Sequence, residues 1–541
     1  MNKKDLLYGE ELRTKLLNGV EKLSKAVIQT MGAKGRNVIM ERPHRAPHVT
    51  NDGVTIAREI VLSDQWENLG AQTLKQAAIQ TNEIAGDGTT CATLLGATLV
   101  KEAMAAIQDG NSPTDIRRGM DIAKENIVKT LKGIAKKVET EDEVKQVARI
   151  SCQDEELGDL IGELMYQVGA DGAVTLEDGH EEKVTYEKVD GIKMDSGFLA
   201  CRMQFKDQAA ATQQYKTIEN ARILVCKDSI SNGVKAFAAL ADSMVKSGEN
   251  KLVVLADDYA PEIVPMLMKF AEGNNIQLML LRAPLFGQKR KDFFDDLGAV
   301  IGAKPYSKEE ATYVEGVTIQ DLPMVKSVRT SKHETIFTAP TLTAGGKELY
   351  ESHKKGLEEQ IENEDSSYNK ELLKQRLANI NGGIASIKIS APTETDAIEV
   401  RYRVEDAVNA CKSAMEQGIV SGGGVALRDV AKKSIKLKGQ KKGVEIGYVL
   451  VVNACIEPFN QILRNAGESA SEYGTGPMIT EEGFGFDVSG DELKSVNMIE
   501  SGIIDPLKVI STALVNAVSV AGVLITTEAG IIDIPEEKKP M

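Results

Sequence analysis

The chain has 541 residues, too many for a single core, and roughly three to four domains are expected from its length. Hydrophobic residues make up 42% and charged residues 27%, ordinary for a soluble globular protein. The net charge of −15 argues against a general nucleic-acid binder and against binding to an anionic membrane surface.

Aromatic residues are scarce at 4%, with Trp66 the only tryptophan, so the core must be aliphatic and rich in alanine. The six cysteines (Cys91, Cys152, Cys201, Cys226, Cys411, Cys455) form no C-x-x-C pair, so neither a disulfide framework nor a zinc site is expected. Reduced thiols and an N-terminus without the apolar segment of a signal peptide predict a cytoplasmic protein.

Residues 10–135 alternate helical patterns with short glycine-bearing turns. Leu12, Leu16, Val20, Leu23 and Val27 recur at helical spacing, and a long helical run extends from Leu69 through Ala105. Residues 172–179 switch to the two-residue period of a strand. After Asp190-Gly191 an α/β stretch begins, with buried strands predicted at Leu252–Ala256 and Leu278–Leu281. Lys347 to Ile380 reads as two antiparallel charged helices broken at Glu364–Ser367. Beyond Asn381-Gly382-Gly383, a strand is predicted at Ile384–Ile389 and an amphipathic helix from Thr395 to Gln417, ending at Gly418. Val509–Ile525 is apolar, but Ser511, Thr512, Asn516 and Ser519 interrupt it, so a buried core helix is expected rather than a membrane span. The two glycine junctions bracket the α/β stretch, consistent with an inserted domain on a hinge or with two ordinary turns.

Gly86-Asp87-Gly88-Thr89-Thr90 directly precedes an apolar helical run beginning at Cys91. A helix N-terminus collects unpaired N–H groups and partial positive charge, which suits a phosphate. Asp87 would repel a bare phosphate, and it makes sense there as a ligand of a bridging Mg2+. A glycine turn with Thr as N-cap fits the residues equally well. Thr30-Met31-Gly32-Ala33, Asn51-Asp52-Gly53 and Ser421-Gly422-Gly423-Gly424 are further stretches suited to close ligand contact. Neither a P-loop nor a G-x-G-x-x-G fingerprint occurs.

Taken in order, these segments resemble the group I chaperonins, the GroEL family. The resemblance is carried by Gly-Ala-Lys-Gly-Arg-Asn at 32–37, Gly-Asp-Gly-Thr-Thr at 86–90, Arg-Val-Glu-Asp-Ala at 403–407, Gly-Gly-Gly-Val-Ala-Leu at 422–427, Asp505-Pro506 and Ile525-Thr526-Thr527-Glu528. It implies a mixed α/β multidomain subunit. A mainly helical equatorial domain would comprise 1–135 and 417–541, and a small intermediate hinge domain 136–190 and 384–416. An inserted α/β apical domain would span 191–383.

The resemblance further implies an ATPase that captures unfolded polypeptides and assists their folding in a ring cavity. Subunits would form a seven-membered ring, doubled back to back, with a GroES-type cochaperonin; Mg2+ would accompany ATP, with K+ as a further cation. Nucleotide contacts carried over are Thr30, Met31, Gly32, Ala33, Asn51, Gly53, Gly86, Asp87, Gly88, Thr89, Thr90, Cys91, Gly423, Asp487, Val488, Ser489 and Asp505, with Asp87 as the metal ligand. Asp406, assisted by Asp52, would position or activate the attacking water. Phe198, Leu199, Met203, Phe237, Leu240, Val264, Leu267 and Met268 would form the client and cochaperonin surface.

Several positions depart from the family pattern. Ala33 stands in place of a proline, Asn51 of a lysine and Cys91 of a threonine, and Asp487-Val488-Ser489 replaces Asn-Ala-Ala. Arg202 and Lys269 bring charge to the apical groove, and the tail from Ile531 to Met541 lacks Gly-Gly-Met repeats. A divergent paralogue acting mainly as a client-binding scaffold, with weak or lost hydrolysis, is therefore the alternative expectation.

Overall fold

The structure is a computed structural model that describes residues 4–41, 47–170, 173–179, 183–189, 191–202, 216–230, 233–314, 317–332, 334–339, 342, 344–364, 366–381, 384–391, 393–434, 437–468 and 481–533. Met203, the Asp190 and Gly382-Gly383 junction residues and the tail beyond Asp533 lie outside the described residues. The chain divides into two compact units, one built from 1–170 and 389–541, the other from 171–388.

The first segment of unit one carries strand β1 (Lys4–Tyr8), helix α1 (Gly9–Val27), the hairpin β2 (Val38–Met40) and β3 (His48–Thr50), then α2 (Gly53–Glu59), α3 (Gln65–Ala85), α4 (Thr89–Gln108), α5 (Pro113–Ile134), α6 (Glu141–Cys152) and α7 (Glu155–Val168). The five residues spaced along α1 from Leu12 to Val27 are all buried, as their period predicts. α1 and α3 cross very closely: a Cβ on Gly19 would lie 1.7 Å from the carbonyl oxygen of Glu67. The run from Leu69 to Ala105 is broken after Ala85, giving two helices instead of one.

Unit two opens with β4 (Ala173–Asp178), β5 (Thr185–Val189), β6 (Gly191–Met194), β7 (Phe198–Arg202) and β8 (Lys216–Cys226). It continues through α8 (Gly233–Ser247), β9 (Lys251–Ala256), α9 (Ile263–Gly273), β10 (Gln277–Arg282), α10 (Gln288–Ile301), β11 (Met324–Thr330), β12 (Thr335–Thr338), α11 (Ala344–Asn363), α12 (Ser367–Asn381) and β13 (Ile384–Ile389). Seven strands form one sheet in the order β6-β12-β11-β8-β9-β10-β7, with β8, β9 and β10 parallel. Alternate residues of β9 face opposite layers. Val253 and Leu255 pack with Phe294 and Leu297 of α10, whereas Leu252 and Val254 pack with Leu240 of α8 and Leu267 of α9. Both faces are covered, which explains the continuous apolar run in the sequence. A separate three-stranded sheet has the order β4-β13-β5.

The chain then completes unit one with α13 (Glu394–Gln417), β14 (Ile419–Ser421), α14 (Val425–Lys433), α15 (Lys442–Ala454), α16 (Glu457–Asn465), β15 (Phe484–Asp487), β16 (Lys494–Asn497), β17 (Ile504–Pro506), α17 (Leu507–Thr526) and β18 (Ala529–Asp533). α17 is long and apolar enough to cross a membrane, yet 72% of its apolar window is buried inside the protein, where it packs on α3, α4 and α5. Strand β18 pairs antiparallel with β1, Leu6 opposite Ile531. Helices α6, α7 and α13, which the sequence assigns to the intermediate domain, pack within unit one, and β4, β5 and β13 within unit two.

Candidate active site

Three turns of unit one converge where α3 gives way to α4. Gly86 ends α3 in the left-handed region at φ +73°, and its N–H donates to Asn82 O at 2.9 Å. Gly88, at φ +86°, starts α4, and no side chain caps that helix. The N–H groups of its first turn therefore remain available to a ligand, with positive helix-end potential behind them. Between the two glycines sits Asp87, whose carboxylate accepts from the Gly88 N–H.

Asp52 arrives from a second turn as the N-cap of α2. Its oxygens accept from the N–H groups of Val54 at 3.2 Å and Thr55 at 3.0 Å, which fixes the carboxylate in place. The adjoining Gly53 lies against the start of α4: a Cβ there would come 2.4 Å from Thr90 Oγ1. Thr30, at the end of the first turn, donates to Val27 O at 2.9 Å, leaving its hydroxyl oxygen 3.4 Å from Thr90 Oγ1. Asn465 holds that turn down by donating to the carbonyls of Ile28 and Met31, each at 2.9 Å. Ala33 is exposed, and Asn51 is half-buried beside Asp52.

The third carboxylate comes from α13. Burial, then the charges of Asp87, Asp52 and Glu405, push the Asp406 carboxyl well above the usual range. Asp87 is raised too, first by burial and then by Asp52. α13 is held on the α3 terminus by Ser413, whose hydroxyl donates to Ala85 O at 3.1 Å, and Asn409 packs against Gly86. Sequence reasoning missed both residues, although they share a helical stripe with Asp406.

The opposite wall is the two-stranded sheet of β14 and β17, in which Val420 pairs with Asp505. Gly422 N–H donates to Ile503 O at 2.9 Å, and Gly423 turns beside Met498. Asp505 is pushed up to about 7, by burial and then by the Asp87 charge, which places it in the same electrostatic neighbourhood. Cys91 bridges the two walls: burial raises its thiol, followed by Asp505, Cys455 and Asp87. Asp487 closes the end of β15 with its carboxylate accepting from Ser489 N–H at 2.9 Å and Oγ at 2.6 Å. The Val488 side chain is buried with Val425, Phe459 and Met498, leaving its backbone as the part a ligand could meet.

The donor chemistry fits a hard cation. Burial and the Asp52 charge raise the proton affinity of Asp87, and burial and the charges of Asp87 and Asp52 raise that of Asp406, a cost that a divalent ion relieves. Among the described residues, no group of three or more His, Cys, Asp or Glu stands close enough to hold a metal by protein ligands alone.

The TCP-1/cpn60 chaperonin family model matches residues 23–535. The chain belongs to that family. Its structure resembles that of the chaperonin gp146 from bacteriophage EL 2 (Pseudomonas aeruginosa), crystallised in the presence of ATP-BeFx. One crystal form gives a TM-score of 0.67 and another 0.60, in both cases at 20% identity over 98% of this chain and 99% of that one. The mixed α/β multidomain chaperonin fold is thus shared.

The expected client surface of this chaperonin is only partly open. Leu199 is 44% exposed, and Phe198, Val264 and Met268 are half-buried, with the Lys216 ammonium 4.5 Å from the Phe198 ring centroid. Phe237, Leu240 and Leu267 correct the sequence expectation: they are 6%, 1% and 3% exposed and belong to the sheet-facing core of α8 and α9. On α9 the exposed stripe falls on neighbouring residues because Leu267 points at the sheet.

Proposed function

We propose that this chain is a group I-type chaperonin ATPase, which captures unfolded polypeptides and assists their folding in a ring cavity. The observation that carries the proposal is the convergence of Asp87, Asp52 and Asp406 on the uncapped N-terminus of α4. The ATP analogue present in the gp146 crystals supports nucleotide binding by this chain.

Asp87 would hold Mg2+, and the N–H groups and hydroxyls of Thr89 and Thr90 would bind phosphate oxygens. Bound magnesium supplies neutralisation of phosphate charge. Asp406 orients the attacking water and accepts its proton, and Asp52 adds an acceptor fixed by its cap bonds. Gly423 and Asp505 flank the nucleoside. A seven-membered double ring, a GroES-type cochaperonin and K+ as a further cation complete the proposal by family resemblance, with a cytoplasmic setting.

Steady-state Mg-ATP hydrolysis, with particle size measured alongside, tests it. Turnover by a large ring that Asp406→Ala abolishes while nucleotide still binds is the expected result. Turnover undiminished in that variant removes Asp406 from the mechanism. The second reading, a client-binding scaffold with weak hydrolysis, draws on Cys91, where a thiol replaces a hydroxyl donor between Asp505 and Asp87. An assembled ring without turnover, whose client capture ignores ATP, selects it.

A further inference from the structure

Helix α13 lies along the turn between α3 and α4 in a register set by successive contacts. Ser413 Oγ donates to the carbonyl of Ala85, the last residue of α3, at 3.1 Å, and Ser413 is only 2% exposed. At the next residue, Gly86, a Cβ would lie 2.2 Å from Asn409 Cβ, so the backbone approaches α13 through the missing side chain. The residue after that, Asp87, lies within electrostatic reach of Asp406. Asp406, Asn409 and Ser413 are spaced by three and then four, one stripe of a helix. Ala85 and Gly86 therefore contact successive positions on one helix face, and Asp87 lies within electrostatic reach of the next.

The Ser413 bond differs in kind from those of other buried hydroxyls nearby. Thr81 and Thr93 each donate to the carbonyl four residues earlier in their own helices, the usual local bond. Ser413 leaves its own helix for a carbonyl 328 positions away in sequence. Ala85 O has no partner further along α3, so the hydroxyl completes a helix end that would otherwise be buried unsatisfied. Sliding α13 by one residue, or turning it by one residue's rotation, breaks this bond and moves Asp406 off the turn.

We infer that Ser413 is the positioning residue for Asp406: its hydroxyl, seated on the terminal carbonyl of α3, fixes the register in which Asp406 faces the Gly86–Gly88 turn. The inference rests on the reading of Asp406 as the hydrolytic acceptor.

The test compares wild type, Ser413→Ala and Ser413→Thr as assembled particles, each also in an Asp406→Ala background. Ser413→Ala is expected to lower kcat about tenfold with KM for Mg-ATP unchanged. Ser413→Thr restores most of the loss, and in the Asp406→Ala background, which has no turnover to lose, Ser413→Ala leaves nucleotide affinity unchanged. Hydrogen exchange of peptides spanning residues 84–90 is expected to quicken several-fold in nucleotide-free Ser413→Ala. Unchanged kcat, or nucleotide affinity weakened by Ser413→Ala in the Asp406→Ala background, overturns the inference. If wild type itself does not turn over ATP, the parent reading fails, and unchanged exchange at 84–90 then overturns the seat independently. Should Ser413→Ala not assemble, Ser413→Cys, nearly isosteric with a weaker donor, replaces it in the same comparisons.

Discussion

Lys75 directs one ammonium at two backbone carbonyls: Nζ lies 2.9 Å from the oxygen of Arg58 and 2.9 Å from that of Ile60. The side chain is buried in α3, and its target is the end of α2, whose other end is capped by Asp52. A cation at a helix C-terminus complements the helix dipole. One buried lysine thus anchors the short helix that presents Asp52 to the site.

Lys75→Met is expected to destabilise unit one by about 1.5–3 kcal/mol, the typical worth of a hydrogen bond to a charged group. Burial lowers the Lys75 pKa below 10.5, so the native state releases this proton more readily than the unfolded chain. The lysine's contribution to stability therefore improves as pH rises toward 10.5, and the methionine variant loses that slope. Thermal unfolding from pH 7 to pH 10 measures both effects; an unchanged midpoint would remove Lys75 as an anchor.

Asp505→Asn exposes the opposite balance. The native carboxyl titrates near 7, whereas an unfolded aspartate titrates at about 3.9. The folded protein binds the extra proton between those values, so wild-type stability falls as pH climbs through that window and is flat above it. The neutral asparagine removes the penalty. Its stabilisation is expected to grow from pH 4 to pH 7 and then level off, with weaker nucleotide binding. Parallel melting curves for the two proteins across that range would contradict the assignment.

At Gly86 both backbone and space oppose a side chain. Alanine at φ +73° costs about 1–2 kcal/mol from the left-handed conformation alone, and its Cβ collides with Asn409. Gly86→Ala should therefore displace α13 and reduce ATP turnover more than it reduces stability. Adding Asn409→Gly should recover turnover in part, because the colliding atom is removed while the strain remains. Absence of any rescue would place the defect in the turn itself.

Glu143 is the acid-sensitive cap of α6. Lys136 Nζ, 2.7 Å away, and the N–H groups of Glu139 and Thr140 hold its carboxyl down to about 2. The stabilisation is complete above the ordinary glutamate range near 4.5 and is lost as pH falls toward 2. Glu143→Gln is expected to cost about 1 kcal/mol at pH 7 and nothing at pH 2. Chemical denaturation at the two pH values distinguishes this from a charge-independent packing loss.

Much of the architecture was legible because apolar periodicity carries it. The α1 stripe, the parallel strands β9 and β10, the paired helices α11 and α12, and α13 with its stop at Gly418 all follow from spacing and punctuation. Motif order singled out the carboxylates Asp52, Asp87 and Asp406, which share one electrostatic neighbourhood in the fold. Burial on the apical helices was not. Phe237, Leu240 and Leu267 are apolar like the half-buried Val264 and Met268, and only the sheet's position decides which face is hidden. Ser413 was hidden for a related reason: a serine in a helix gives no sign that its hydroxyl will leave the helix.

The interrupted layout of unit one has a consequence for synthesis. Unit two is one continuous stretch and can fold while Ile389–Met541 is still being translated. Unit one cannot. Its helices α3, α4 and α5 all pack on α17, close to the last described strand, so their apolar faces must wait for nearly the whole chain. Newborn chains therefore expose, during elongation, the same kind of sticky surface that a chaperonin exists to shelter.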